Sequence, residues 1–295
     1  MAKTLPLTDA PADAPVFARV AIVGFGLIGG SIALAIKRKW PSSLVVAVDG
    51  RTIIESAMRA YAADVGGDTL DMAGDVDLVV LCAPVLQNVS MLAQLPEYLR
   101  AGTLVTDVSS TKRTIVAAAS KVPSLDFVGG HPIAGAAAGG FGASRADMFD
   151  GHPWVLTPRP DHASRTGDLE RFVRGLGGVP HVMNANLHDR FMAATSHLPQ
   201  LTASALMSVV GGLAGDAGLE LAGAGLRDTT RLAPSPPAVW KDIAATNTDH
   251  IREALDQLID ALTGMRNDLE NGAAIDAIFT SAARWRDALL KARGE

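Results

Sequence analysis

The chain has 295 residues, enough for two lobes around sizeable cores. Apolar residues make up 48% and charged residues 19%, a globular composition that excludes a disordered or fibrous chain. The net charge of −5 is modest and spread along the chain, so nothing points to nucleic acid or an anionic membrane surface, and small molecules are the expected partners.

The first fifteen residues, MAKTLPLTDAPADAP, lack the apolar core and basic flank of a signal peptide and are expected to form a disordered leader. From Arg19, short β-branched runs alternate with helical stretches, the pattern of βαβ units feeding a parallel sheet. RVAIVG (19–24), LVVAV (44–48), DLVVLCAP (77–84), TLVTDV (103–108), DFVGG (126–130), WVLT (154–157) and VPHVM (179–183) are seven strand candidates. Helices are expected over 27–39 and 53–62. Cys82, the single cysteine, sits in an apolar run, as a core thiol in a reducing, cytoplasmic compartment would.

Beyond Asn184 the β-branched runs stop, and Ile251, Leu255, Leu258, Leu262, Met265 and Leu269 recur at helical spacing. The expected architecture is α/β: a Rossmann-type parallel-sheet domain over 16–184, then an all-helical substrate and dimerisation domain over 185–295. Ile275, Ile278, Phe279, Ala282 and Leu289 are many apolar residues for a peripheral helix, which points to a homodimer through the C-terminal helices. No later apolar run reaches the roughly 20 residues of a membrane span without Gly, Pro or charge interrupting it.

Gly24-Phe25-Gly26-Leu27-Ile28-Gly29 is a GxGxxG that directly follows a strand candidate and opens a helix, the context that gives this short motif meaning. Gly24 suits a tight turn, Gly26 lets a pyrophosphate approach the backbone, and Gly29 lets helix and strand pack closely. The helix N-terminus adds N–H donors and partial positive charge. Asp49, twenty residues after Gly29, is placed to accept hydrogen bonds from the adenosine ribose and to repel a 2′-phosphate, which favours NAD. Arg51, two residues on, keeps NADP open.

Three polar segments fall where a parallel sheet presents its ligand site, beyond the carboxyl ends of the strands: DVSSTK (107–112), GGHPIAG (129–135) and TSHLPQ (195–200). His131 emerges from a strand and is followed by Pro132; an imidazole, titrating ordinarily near about 6.5, suits accepting a hydroxyl proton as the carbon beneath loses hydride. Ser110, on a neighbouring strand end, is the expected partner fixing the His131 tautomer. His197 reads equally well as a pocket residue or a structural histidine. Arg231, in the Gly- and Pro-rich segment GAGLRDTTRLAPSPPAVWKDI, reads as a carboxylate ligand or a surface arginine.

Together, GFGLIGGS, the D-x-x-S-x-K of Asp107, Ser110 and Lys112, GGHPIAG, WVLTP, HDRFMAATSHLP and GLRDTTRLAPSPPAVWKDI resemble the TyrA family of prephenate, arogenate and cyclohexadienyl dehydrogenases of tyrosine biosynthesis, prephenate dehydrogenase most of all. The resemblance implies that His131 is catalytic and bonds the ring C4 hydroxyl, that Ser110 supports it and the nicotinamide, that His197 lines the pocket, and that Arg231 binds a substrate carboxylate. It extends the cofactor contacts to Ala83, Pro84, Asp107 and Ser110. The implied reaction is hydride loss from C4 to NAD with departure of the ring carboxylate as carbon dioxide. Two departures stand out. Ala136, Ala137 and Ala138 occupy a stretch where many relatives carry a polar or acidic residue, which leans towards the keto acid prephenate over the amino acid arogenate. Gln200 stands where SHLPH is common. With the sequence stopping at Glu295, neither an ACT-type regulatory domain nor a preceding chorismate mutase segment is expected. The rival readings are a related two-lobed dehydrogenase with a catalytic lysine and a non-catalytic NAD-binding sensor.

Overall fold

The computed structural model describes residues 14–136, 138–159 and 165–293. Apart from residues 14 and 15, the expected leader lies outside the described residues, as does Ala137 of the alanine run. In chain order the sheet-bearing part runs β1 (Arg19–Val23), α1 (Leu27–Lys39), β2 (Leu44–Val48), α2 (Arg51–Arg59), β3 (Val65–Gly67), β4 (Leu78–Leu81), α3 (Val85–Leu92), β5 (Leu104–Asp107), α4 (Arg113–Ser120), β6 (Asp126–Pro132), β7 (Pro153–Pro158), α5 (Thr166–Gly175) and β8 (Val179–Val182). The helical part follows as α6 (Ala185–Met192), a π-helical turn (Ala193–His197), α7 (Leu198–Leu219), α8 (Ala224–Thr229), α9 (Pro237–Thr246), α10 (Thr248–Asn267) and α11 (Ala273–Arg293).

The strands form one sheet in the order β3-β2-β1-β4-β5-β6-β7-β8. The order reverses between β1 and β4, and such a switch point opens a crevice beyond the strand ends. Both faces are buried: along β1, Val20 and Ile22 pack into one apolar cluster with Ile32, Ile36 and Phe172, while Ala21 and Val23 pack into another with Leu92, Ile115 and Phe127. Burial on both faces is why these strands read as unbroken apolar runs rather than alternating ones.

The expected Rossmann-type α/β architecture with a helical C-terminal part is present, with two corrections to the sheet. It is mixed, because β6 and β7 pair antiparallel, with His131 opposite Val155. A parallel pair needs a long crossover, usually helical, whereas among the described residues between Pro132 and Pro153 the chain makes only a 3₁₀ turn at Phe141–Ala143. The sheet also has an eighth strand, β3, whose Val-Gly-Gly lacks the β-branched run that marks a strand and which pairs with β2 at the edge.

The chain divides into two compact units. The first runs to Met192 and takes in Pro234–Asn247, so α6 and α9 count with the sheet; the second comprises Ala193–Ala233 and the chain from Thr248. In the second unit Val209, Leu213, Leu221, Phe279, Trp285 and Leu289 are exposed. The helical stretch Ala185–Leu219 is long and apolar enough by composition to cross a membrane, and little of it is buried within the chain.

Candidate active site

Each glycine of the 24–29 loop has a separate geometric reason. Gly24 has φ +94°, and a Cβ there would stand 2.8 Å from the Ala83 nitrogen. At Gly29 a Cβ would meet the Gly24 carbonyl oxygen at 2.1 Å, so only glycine lets α1 start this close to β1. Gly26 faces open space, with nothing within 4 Å of a Cβ position. It is the N-cap of α1, whose first turn carries no acidic side chain. The remaining motif positions divide: Phe25 is buried and packs on Phe141 at 5.7 Å, while Leu27 and Ile28 begin the helix half-buried. Free first-turn amides and a small, open approach suit the pyrophosphate of a dinucleotide.

Asp49 holds this loop in place. Its carboxylate accepts hydrogen bonds from the Phe25 amide and the Gly50 amide, both at 2.6 Å. A cavity of about 480 Å³ opens here, lined by Gly24, Gly26, Asp49, Asp68, Ala83 and Pro84 among others. Asp68, just past β3, adds a second carboxylate, delivered by a strand whose Val-Gly-Gly carries no strand signal in the sequence. Arg51 does not line the cavity; its guanidinium is 91% exposed and pairs with Glu55 along α2. Cys82 is half-buried and lines the same cavity rather than sitting deep in the core, and burial pushes its thiol well above the ordinary range.

At the end of β5, Asp107 and Lys112 form an ion pair buried on both sides. The resemblance implies a cofactor contact for Asp107, but its carboxylate is committed internally. One oxygen accepts the Gly130 amide at 3.0 Å, and the other accepts the Ser109 amide at 2.9 Å and the Lys112 ammonium. Lys112 also donates to the Gly130 carbonyl at 2.7 Å. The pair thus clamps β5 to β6 at the residue before His131. Burial draws the Lys112 ammonium below its ordinary value, and the Asp107 charge opposes that shift.

His131 is half-buried at the end of β6, and its Nδ1 lies 2.8 Å from Nε2 of His188 on α6, the rings meeting edge to face. Ser110 is also half-buried but makes no hydrogen bond to a described residue. The partner that orients His131 is therefore His188, not Ser110. His188 Nδ1 lies 2.8 Å from Oδ1 of Asp189, and both residues are fully buried. Asp189 in turn caps α4, accepting the Lys112 amide at 2.7 Å and the Arg113 amide at 2.9 Å. Asn247, just past α9, donates to the Asp189 carbonyl at 2.8 Å. In the sequence His188 and Asp189 stand as the first two residues of HDRFMAATSHLP, and nothing local pairs them with His131.

Burial resists charge on Asp189, but the hydrogen bonds from His188 and the Arg113 and Lys112 amides outweigh it and hold the carboxyl below the usual carboxylate range. Burial likewise pushes the His188 imidazole below its ordinary value, against the opposing pull of Asp189. An unfolded His188 takes up a proton at a higher pH than the folded one. The folded state therefore loses stability as pH falls below the unfolded value of about 6.5, until the lower folded value is passed. Thermal unfolding followed against pH should show this decline, and His188→Phe should flatten it in that window; an unchanged slope would refute it.

His197 and Arg231 belong to the second unit. His197 is buried and ends the π-helical turn. Pro199 two residues later has no N–H to give the carbonyl four residues back, and such a gap favours the looser winding. Arg231 is exposed, its side chain making no hydrogen bond or ion pair to a described residue. Gln200 is buried and donates to the Leu232 carbonyl at 2.7 Å, pinning the backbone next to Arg231.

Two family domains match the chain: "Prephenate dehydrogenase, nucleotide-binding domain" over residues 32–182 and "Prephenate dehydrogenase, dimerization domain" over 184–279. The chain belongs to the prephenate dehydrogenase family. Among relatives in this family, the prephenate dehydrogenase of Bacillus subtilis is 33% identical over 93% of this chain and 77% of its own length. The cyclohexadienyl dehydrogenase of Zymomonas mobilis is 31% identical over 85% of this chain and 88% of its own. The structure of prephenate dehydrogenase from A. aeolicus in complex with hydroxyphenyl propionate and NAD+ superposes with a TM-score of 0.84 at 27% identity, covering 92% of this chain and 98% of that one. Synechocystis arogenate dehydrogenase superposes at 0.77, also at 27% identity, over 92% and 99% of the two chains. A 3-hydroxyisobutyrate dehydrogenase from Salmonella typhimurium, at 14% identity and a TM-score of 0.57, shares the fold alone. The chain is thus an oxidoreductase of the prephenate dehydrogenase family with a nucleotide-binding domain and the family's dimerization domain.

Proposed function

We propose that this protein is an NAD-dependent prephenate dehydrogenase that converts prephenate to 4-hydroxyphenylpyruvate. The observation that carries the reading is the His131 imidazole, held at the end of β6 by a buried hydrogen-bond chain, in a chain of this family. NAD supplies the hydride acceptor when bound. Gly24, Gly26, Gly29 and the first turn of α1 would hold its pyrophosphate, and Asp49 would take its ribose. The carboxylates of Asp49 and Asp68, with Arg51 turned to Glu55, support NAD over NADP because a 2′-phosphate would meet negative charge.

His131 accepts the proton of the C4 hydroxyl as the C4 hydrogen leaves as hydride. The bond from the ring to its carboxylate then breaks, its electron pair enters the ring, the C4 oxygen takes its proton back from the His131 imidazolium to become the phenol, and carbon dioxide departs. Aromatisation drives the reaction, so the protein's task is to orient and deprotonate. Ser110 and His197 line the substrate, and Arg231 takes a carboxylate through its planar fork. The second unit serves as the homodimer interface, with exposed Val209, Leu213, Phe279 and Trp285 as surface for a partner copy.

Arogenate is the second reading, favoured by the likeness to the Synechocystis enzyme. Against it stand Ala136 and Ala138, which offer an ammonium group no carboxylate. Crossing prephenate and arogenate with NAD and NADP, read at about 340 nm as reduced nicotinamide, tests the proposal. Prephenate with NAD should be the fastest pair. Turnover confined to arogenate or NADP would overturn the substrate or cofactor assignment, and no turnover with any pair would overturn the function.

A further inference from the structure

The hydrogen bonds around His131 define more than its orientation. An ionised carboxylate only accepts hydrogen bonds, so with Asp189 held as carboxylate its 2.8 Å contact to His188 requires a proton on His188 Nδ1. Asp189 is anchored independently of that contact, because it also accepts the amides of Lys112 and Arg113 at the start of α4. A neutral imidazole carries one N–H and one lone pair, so His188 Nε2 is the acceptor. It faces His131 Nδ1 at 2.8 Å, which must therefore donate. The His131 lone pair is left on Nε2.

We propose that His188 is a positioning residue that, set by Asp189, keeps His131 as the tautomer with its proton on Nδ1 and its basic lone pair on Nε2. The inference deepens the proposed function and rests on His131 being the proton acceptor. Neutrality of His188 is consistent with its surroundings: full burial and the Lys112 ammonium disfavour a second proton, while Asp189 and Asp107 favour one and lose to burial. Among the described residues, Arg113 also bonds Asp189 from α4, and His131 faces His188 from β6. When His131 becomes an imidazolium, Nδ1 goes on donating to His188, so no group reorganises in the proton-transfer step. The proton stays on His131 until it returns to the substrate oxygen and never passes to Asp189; the carboxylate acts through orientation and charge, as a carboxylate does behind other catalytic imidazoles.

The direct test is nitrogen NMR of the wild-type protein with ¹⁵N-labelled histidine, the His131 and His188 signals being assigned with His131→Asn and His188→Phe. At neutral pH both rings should carry the proton on Nδ1. A proton on Nε2 of His131, or a charged His188, overturns the proposal, and neither result depends on turnover. Kinetics give the second arm. With prephenate and NAD, His188→Phe, which keeps the ring volume but has no acceptor, should lower kcat by about 10²-fold with KM and the dinucleotide Kd nearly unchanged. His188→Gln, whose amide oxygen can accept from His131, should recover part of the loss. An unchanged kcat in His188→Phe, or equal losses in kcat, KM and Kd without recovery by Gln, overturns a positioning role. If His188→Phe does not fold, the wild-type tautomers decide. Failure of the underlying function would look different: His131→Asn would turn over normally whatever the tautomers are.

Discussion

Replacing His131 with Asn should lower kcat by about 10²-fold or more and leave NAD binding nearly unchanged. The imidazole stands at the end of β6, while the glycine loop and Asp49, proposed to hold the dinucleotide, sit at the ends of β1 and β2, so the two proposed roles separate in the fold. Asn keeps a polar group near the His188 lone pair, so the variant should fold, but its amide cannot accept a proton near neutral pH. The loss should fall on kcat with little change in KM, because the proton moves only as the hydride leaves. Steady-state kinetics with prephenate, together with NAD titration by fluorescence, measure both quantities. A loss of less than about threefold would remove His131 from the chemistry. A loss of NAD affinity to match would make it part of the dinucleotide site instead.

Replacing Lys112 with Met should destabilise the protein by about 3–5 kcal/mol, a large share of the roughly 5–15 kcal/mol by which domains are stable. Lys112 and Asp107 are both fully buried, so the change leaves a carboxylate without its ion-pair partner in the interior. The melting temperature of the sheet unit should fall by roughly 6–20 °C. Asp107→Asn should cost less, because burial already draws Lys112 towards its neutral form and the unpaired amine can shed its proton. The double variant should regain much of the loss, since a buried ion pair replaced as a whole is often close to neutral in stability. If Lys112→Met and Asp107→Asn instead add without recovery, the pair is not the unit that holds β5 to β6.

Much of this architecture is written locally. The run RVAIV followed by three glycines at 24, 26 and 29 carries its own explanation, because a tight turn, an open approach and a close helix–strand contact are each properties of a few adjacent residues. The change from β-branched runs to helical periodicity past residue 184 is equally local and announces the helical part. Strand β3 escaped that reading because Val-Gly-Gly becomes a strand only through its pairing with β2. The antiparallel β6–β7 pair escaped it because direction within a sheet is set by how the connection travels, and that is not a property of either strand's residues.

The candidate site divides along the same line. By itself the sequence determined which candidate residues stand at strand ends: the glycine loop, Asp49, His131 after its strand, and the polar D-x-x-S-x-K. Only the tertiary structure decided which of them touch. It withdrew Asp107 into an ion pair with Lys112, left Arg51 on the surface beside Glu55, brought in Asp68, and replaced Ser110 by His188 as the partner of His131. His131 and His188 are 57 residues apart in the chain and 2.8 Å apart in the fold. Periodicity and motif spacing record what each segment does with its near neighbours, whereas a hydrogen bond between a strand end and a distant helix exists only once the sheet has closed and both groups have been taken out of water.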